Sequence, residues 1–502
     1  MSLQFILGNS GFGKTTYIYN KIIKDSMEHP EMRYYCIVPE QFTLQTQRDF
    51  VLMHPRKGIL NIDVLSFQRL AYHVLDEVGM SGRMILEETG KNIVLRKLAK
   101  EHEEELQVLE RNLKKLGYIS EVKSLISELM QYQVTPELLD EMIEKTGSRE
   151  LLSKKLKDVQ VLYRAFLDYM GKEYMTSDQV LQVLNEVLDR SEKLKDSVIV
   201  LDGFTAFNPV QLHLVQGLAK IAKQVYVTVT IDSREEPYSA LQKTDLFYLS
   251  KKTIQSVTAA VKDIGVNIDP QILLEGKDHH RFEQSEDLLF LEQHLFRGGK
   301  AVFREKPQNI HIKEYRTAME EISDAAVHIR RLVRVSGYRY GEIAVVLGNV
   351  EYQEHVSRIF SRFDIPAFID EKRNALSHPF VEFLRAFLKM IEENFSYETV
   401  FRYLRSGFSG ISTEGTDILE NYCLALGIRG LKKYSEKWIR FSKNMTDDEL
   451  QRVNEIRVKF YDSVKDAAFI LKDKNESITR KCTVLYEFLE KLEIIIMDDY
   501  EF

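Results

Sequence analysis

Short apolar runs alternate with helical periodicity over the first sixty-five residues. LQFIL at 3–7, YYCIV at 34–38 and NIDVLS at 61–66 are separated by segments with an apolar residue every three to four positions, the first beginning near Thr15. Apolar runs of this length punctuated by helices predict a parallel α/β sheet. From about Met84 to Lys195 the rhythm changes. NIVLRKLAKEH, ISEVKSLISELMQYQV and LKDVQVLYRAFLDYM keep a charge-laced 3.6-residue period with almost no Gly or Pro, which predicts an all-helical insertion. SVIVLD at 197–202, a helix at VQLHLVQGLAKIA and the run QVYVTVTID then resume the sheet, so the first domain is discontinuous in sequence.

A polar, charged stretch at 276–308 reads as a linker. Beyond it NIHIKEY, a helix and EIAVVLG predict the start of a second sheet, and from about Pro379 the pattern is helical again. The expected division is a sheet domain at 1–83 and 196–300, a helical domain at 84–195, a second sheet domain at 301–378 and a second helical domain at 379–502. The final segment EKLEIIIMDDYEF offers no return strand for the second sheet, so that domain reads as incomplete and the chain as a fragment of something longer. The expected fold class is therefore α/β and helix-rich overall, with two P-loop or RecA-like parallel-sheet domains, each carrying a helical insertion.

Composition adds bounds. A chain of 502 residues predicts three or four domains, and Gly (24) plus Pro (10) fall well below the usual share of roughly 12%, which favours helix. The formal net charge of −7 argues against a polybasic nucleic-acid binder but allows a basic channel inside an acidic shell. Cys36, Cys423 and Cys482 lie far apart without CxxC spacing, so neither a disulfide framework nor a metal cluster is expected within this chain. The N-terminus has no cationic region or cleavage site, and no apolar run approaches eighteen residues. These features predict a soluble, cytoplasmic protein with no membrane partner.

The strongest chemical signal is Gly8-Asn9-Ser10-Gly11-Phe12-Gly13-Lys14-Thr15, which satisfies GxxxxGK[ST] directly after an apolar strand and directly before a helix. In that context the backbone N–H groups curl round phosphates, Lys14 reaches the terminal phosphates, and the Thr15 hydroxyl ligates Mg2+ of a bound ATP. Asp202, closing VIVLD, is the expected second magnesium partner, with capping of a strand-end turn as the other reading. The next residue is Gly203, where hydrolysing motors carry a glutamate that orients water. Positioned acid/base catalysis is worth about 10²–10⁴-fold, so nucleotide binding with weak or no turnover is expected, and no catalytic residue is assigned. Arg316 in EYRTAMEE reads either as an arginine finger toward the γ-phosphate or as a solvated surface arginine.

Three loops after predicted strands mix aromatic and polar residues: PEQFT at 39–43, SFQRLAY at 66–72 and GFTAF at 203–207. Ligands of open α/β sheets bind at this edge. Phe67, Tyr72 and Phe207 suit stacking on unpaired bases, while Gln41, Thr43 and Arg69 suit hydrogen bonds to base edges or phosphates. The competing reading makes the aromatics core residues of helix starts, and Phe42 and Leu70 are expected to be so.

GNSGFGKT, VPEQFTLQTQRDF, NIDVLSFQRLAY, VLDGFTAFNPVQ, DIPAFIDEKRNALSHPF and LRSGFSGISTEGTDILENYCLALGIRG, in that order, resemble AddB, the B-subunit family of the AddAB (RexAB-type) ATP-dependent helicase/deoxyribonucleases. The resemblance implies a superfamily 1 helicase-like fold with domains 1A, 1B, 2A and 2B. It also implies an AddA-like partner in a heterodimer, action on single- and double-stranded DNA ends in double-strand-break processing for homologous recombination, and a degenerate motor that reads a recombination hotspot. Residues Gln41, Thr43, Phe67, Arg69 and Phe207 fall in the family's scanning loops, with Tyr72 where relatives carry another aromatic. The family's nuclease domain with its iron–sulfur cluster lies C-terminal to the region resembled, and the three cysteines here do not match the cluster ligands. Two other readings remain open: a P-loop phosphotransferase acting on a small molecule, disfavoured by the domain arithmetic, and a non-catalytic ATP-binding scaffold.

Overall fold

The apolar run at 3–7 folds as strand β1 (Ser2–Gly8), with Leu3, Phe5 and Leu7 turned to one face of a sheet and Ile6 to the other. The computed structural model describes residues 1–80, 84–109, 116–147, 149–171, 174–275, 281–349, 351–369, 376 and 378–491. It divides into two units, Met1–Lys313 and Glu314–Phe502. In the first, β1 is followed by α1 (Lys14–Glu28), β2 (Tyr34–Ile37), α2 (Thr43–Met53), β3 (Ile62–Leu65) and α3 (Phe67–Glu77). The insertion then runs through β4 (Met84–Leu86), α4 (Glu88–Glu101), α5 (Leu116–Gln131), α6 (Pro136–Glu144), α7 (Glu150–Met170), β5 (Tyr174–Thr176) and α8 (Ser177–Val187). The sheet resumes with β6 (Val198–Leu201), α9 (Pro209–Ile221), β7 (Gln224–Thr230), α10 (Tyr248–Asp263) and β8 (Asn267–Leu274), and α11 (Glu286–His294) follows.

The six-stranded sheet has the order β3-β2-β6-β7-β1-β8, and every neighbouring pair is parallel. Period-2 alternation sorts its side chains onto two faces. Tyr35, Ile37, Ile199 and Leu201 join α3, α8, α9 and α10 in one core, while Tyr34, Cys36, Val198 and Val200 join α1 and α2 in the other. Helices cover both faces, which is why the inner strands read as unbroken apolar runs. Parallel packing also gathers the ends of β1, β2, β3 and β6 at one carboxyl edge.

Two expectations about the insertion need correction. It is not all-helical: β4 and β5 pair in parallel, Met84 with Tyr174 and Leu86 with Thr176, in three-residue strands too short to register as a period. Its last helix, α8, sends Val180, Val183, Leu184 and Val187 into the sheet's core, whereas α4, α5 and α7 build a separate core around Leu95, Ile126, Leu162 and Phe166.

The second unit contains α12 (Ala318–Val335), α13 (Tyr352–Arg362), α14 (Pro379–Glu392), α15 (Tyr397–Leu404), α16 (Thr413–Leu426), α17 (Leu431–Ser435), α18 (Asp447–Lys472) and α19 (Ile478–Lys491). Helices α14–α19 close over an aromatic core that includes Phe383, Phe387, Tyr403, Tyr434 and Phe460. The second parallel sheet is not formed among the described residues. NIHIKEY and EIAVVLG run without strand pairing, and Ile312 and Val346 are 95% and 93% exposed. An isolated parallel pair is marginal, and α12 and α13 instead bury Ile322, Ile329, Ile359 and Phe360 together. The α/β class thus rests on the first sheet. The tail of EKLEIIIMDDYEF and part of DIPAFIDEKRNALSHPF lie outside the described residues. No helix among the described residues is long and apolar enough to cross a membrane.

Candidate functional site

Residues Asn9–Gly13 make the turn between β1 and α1. Gly13, at φ 82° and ψ 15°, occupies the left-handed region that an L side chain resists, and no side chain caps the first N–H groups of α1. Lys14 folds back over this turn, its Nζ donating to the carbonyls of Gly8 (2.9 Å) and Asn9 (2.8 Å). Burial lowers the Lys14 ammonium to about 8, opposed by the carboxylates of Asp202 and Glu292. Phe12 is buried, Ser10 and Thr15 are exposed, and Asn9 is 3% exposed.

Asn9 is where the loop meets distant chain. Its Oδ1 accepts from the Ser233 N–H (3.2 Å) and its Nδ2 donates to the Glu292 carboxylate (3.2 and 3.3 Å). Glu292 pairs with Arg297 at 3.4 Å, and Arg297 and Arg234 both pair with buried Asp232, at 2.5 and 2.7 Å. Burial raises the Asp232 carboxyl, but the two guanidinium groups outweigh it and hold the group at about 2. Sequence reasoning missed this network, and its one local signal was the Asp that ends QVYVTVTID.

Asp202 sits just past β6 and is buried. Three hydroxyls donate to it: Thr15 at 3.1 Å, Tyr19 at 3.1 Å, and Thr228. The Tyr19 ring stacks on Phe50 with centroids 4.2 Å apart, which fixes the phenol against the carboxylate. Burial, with the nearby Cys36 and Asp202, pushes the Tyr19 phenol well above its ordinary range, so it stays a donor. Paired Thr15 hydroxyl and Asp202 carboxylate are the hard oxygen donors that suit Mg2+. Gly203 has φ 79°, so any side chain at that position is strained. Among the described residues no group of three or more His, Cys, Asp or Glu gathers as a metal site. Cys36 and Cys423 are buried and free, and Cys482 is exposed and free.

At the same edge Glu40, Gln41, Phe42, Phe67, Gln68, Phe204 and Gln211 line a cavity of about 570 Å³. Phe67, Phe204 and Phe207 form a cluster with centroids 5.1, 5.2 and 6.3 Å apart. Phe67 is 5% exposed and belongs to the sheet's core, though it also lines the cavity; Phe204 and Phe207 are half-buried. Phe42, expected in a core, is 48% exposed because it ends a tight turn at Glu40–Phe42 that directs its ring outward, whereas Leu70 is buried as expected. Gln41 is exposed. Thr43 is buried and donates to the Glu40 carbonyl at 3.0 Å. Arg69 is exposed and pairs with Glu40 at 3.1 Å. Tyr72 accepts from Gln68 Nε2 at 3.0 Å and lines a second cavity of about 500 Å³ with His73, Asp76 and Lys193. The structure therefore joins Gln41 and Phe67 in one cavity, packs Phe207 beside it, and turns Thr43 to the backbone. It adds Gln68 and Phe204, from two of the same loops, and Gln211 from the start of α9. Arg316 is exposed in the second unit, where its N–H donates to Glu320 at 3.3 Å.

A glycine-rich turn between a doubly covered parallel sheet and an uncapped helix, facing a strand-end carboxylate on β6, defines the class of P-loop α/β proteins. Within that class, the family described as ADDB, N-terminal matches residues 5–292, and the chain belongs to it. Similar curated proteins, each named as the B subunit of an ATP-dependent helicase/deoxyribonuclease, come from Lachnoclostridium phytofermentans, Caldanaerobacter subterraneus and Clostridium tetani. The first is 38% identical over 99% of this chain, and the other two are 32% identical over 99% and 98% of it. The chain spans 44% of the length of each.

Proposed function

We propose that this chain is the nucleotide-binding and strand-reading part of the B component of an ATP-dependent helicase/deoxyribonuclease. The observation that carries the reading is the Thr15 hydroxyl 3.1 Å from Asp202 at the mouth of the P-loop. The N–H groups of Gly8–Thr15 receive the ATP phosphates, Lys14 exchanges its loop carbonyls for the terminal phosphates, and Thr15 with Asp202 holds Mg2+. The Mg2+ supplies charge neutralisation for the phosphates. Gly203 leaves no side chain to orient water, so the motor is degenerate and turnover is slow.

The cavity lined by Gln41 and Phe67, with Phe207 packed beside it and Arg69 paired to its Glu40, takes single-stranded DNA and reads a recombination hotspot, while Thr43 holds the Glu40 turn and Tyr72 faces the neighbouring cavity. This reading places the chain in the cytoplasm, in a heterodimer with an AddA-like subunit that processes double-stranded DNA ends for homologous recombination. Nuclease activity and an iron–sulfur cluster belong to the part of the longer relatives that this chain does not span.

ATP binding and turnover, measured with and without single-stranded DNA beside a Lys14→Ala control, test the reading. The expected result is Lys14-dependent binding with turnover about 10²–10⁴-fold below that of an active translocase. Brisk, DNA-stimulated turnover overturns the degenerate motor. Absence of any binding overturns the site.

A further inference from the structure

The segment after β8 returns to the P-loop. The Arg281 N–H donates to the Gly11 carbonyl at 2.8 Å. Gly11 is packed so closely by this segment that a Cβ there would lie 3.1 Å from the Arg281 Cβ and 3.0 Å from the Phe282 ring. Backbone hydrogen bond and ring contact together hold residue 281 at a fixed place beside the loop. Its side chain is exposed and lines a cavity of about 380 Å³ with Gly13, Lys14, Thr15, Thr16 and Glu283. Two cations, Lys14 and Arg281, thus face one carboxylate across a space floored by the uncapped start of α1. Two cations against one carboxylate leave the lining of this space net positive, which favours an anion there.

We propose that Arg281 is a phosphate-binding residue of the nucleotide site. The inference rests on the nucleotide reading above and deepens it. The lining supports this: Lys14 and Thr15, the residues assigned above to the phosphates and Mg2+, border the same cavity as Arg281. A guanidinium supplies two parallel donors to phosphate oxygens, a geometry that an ammonium lacks.

Binding of Mg2+–ATP and Mg2+–ADP by calorimetry, for the parent chain, Arg281→Gln, Arg281→Lys and Lys14→Ala, tests this. The expected result is a loss of about 10- to 100-fold in Mg2+–ATP affinity for Arg281→Gln, with partial recovery in Arg281→Lys and an unchanged melting temperature. Parent-like affinity of Arg281→Gln, with binding still lost in Lys14→Ala, overturns the inference and leaves the nucleotide site standing. A parent chain that binds neither nucleotide overturns both.

Discussion

At one carboxyl edge, the P-loop ends β1, while the aromatic groove is assembled from the loops after β2, β3 and β6. The P-loop is made of backbone: a left-handed glycine, uncapped N–H groups and a lysine folded onto two carbonyls. The groove is made of side chains, three phenylalanines leaning on one another and a rim of glutamines. A backbone site is written in consecutive residues and survives changes in its neighbours. A side-chain site depends on three separate loops arriving together, so its members divide between holding the groove and facing what enters it.

That division is where the comparison breaks most easily. Phe67→Ala removes a core ring and is expected to cost about 3–5 kcal/mol of stability in chemical denaturation, an effect large enough to mask any role in binding. A loss below about 1 kcal/mol would place Phe67 in the rim instead. Phe207→Ala, half-buried, is expected to weaken binding of a single-stranded oligonucleotide by about 1–3 kcal/mol while leaving nucleotide binding at the P-loop unchanged. Coupling between the two activities in this variant would show that groove and P-loop act as one site.

The smallest effect sharpens the other half. Burial sets Lys14 at about 8 against 10.5 in the unfolded chain. Below pH 8 the folded protein carries the cost of a buried charge. Between pH 8 and 10.5 only the unfolded chain holds that proton, so this group's contribution to stability is level below about 8, rises from about 8 to 10.5 and levels off above that. Phosphates raise the Lys14 pKa again, so nucleotide binding at pH 8 is expected to take up about half a proton, read from calorimetry in buffers of different ionisation enthalpy. Proton release would mean that Lys14 does not face the phosphates.

Much of this was legible in sequence because the signals are local. The strand runs at 3–7, 34–38 and 197–202, the helix after the P-loop, the discontinuous first domain and the Gly8–Thr15 turn each follow from short-range periodicity or glycine spacing. Asp202 was legible too, since a polar residue closing an apolar strand points to the carboxyl edge. Phe42 left its expected core place because the turn at Glu40–Phe42 directs its ring outward, and Phe67, open between stacking and core, is buried at the start of α3. The three-residue strands β4 and β5 fell below the length at which a period shows.

The chain's own pattern thus determined a parallel sheet with a phosphate-type turn, because those features are set by backbone geometry within a few residues. Tertiary structure alone decided the rest. Asn9 meets Glu292 across 283 positions, Thr15 meets Asp202 across 187, and Arg281 is fixed on Gly11 only after β8 has joined the sheet beside β1. Contacts of that separation carry no periodic trace, since they depend on strand order and not on neighbouring residues. Nor does an apolar run guarantee a strand, as exposed Ile312 and Val346 show: a ladder needs a partner, and only the folded chain supplies one.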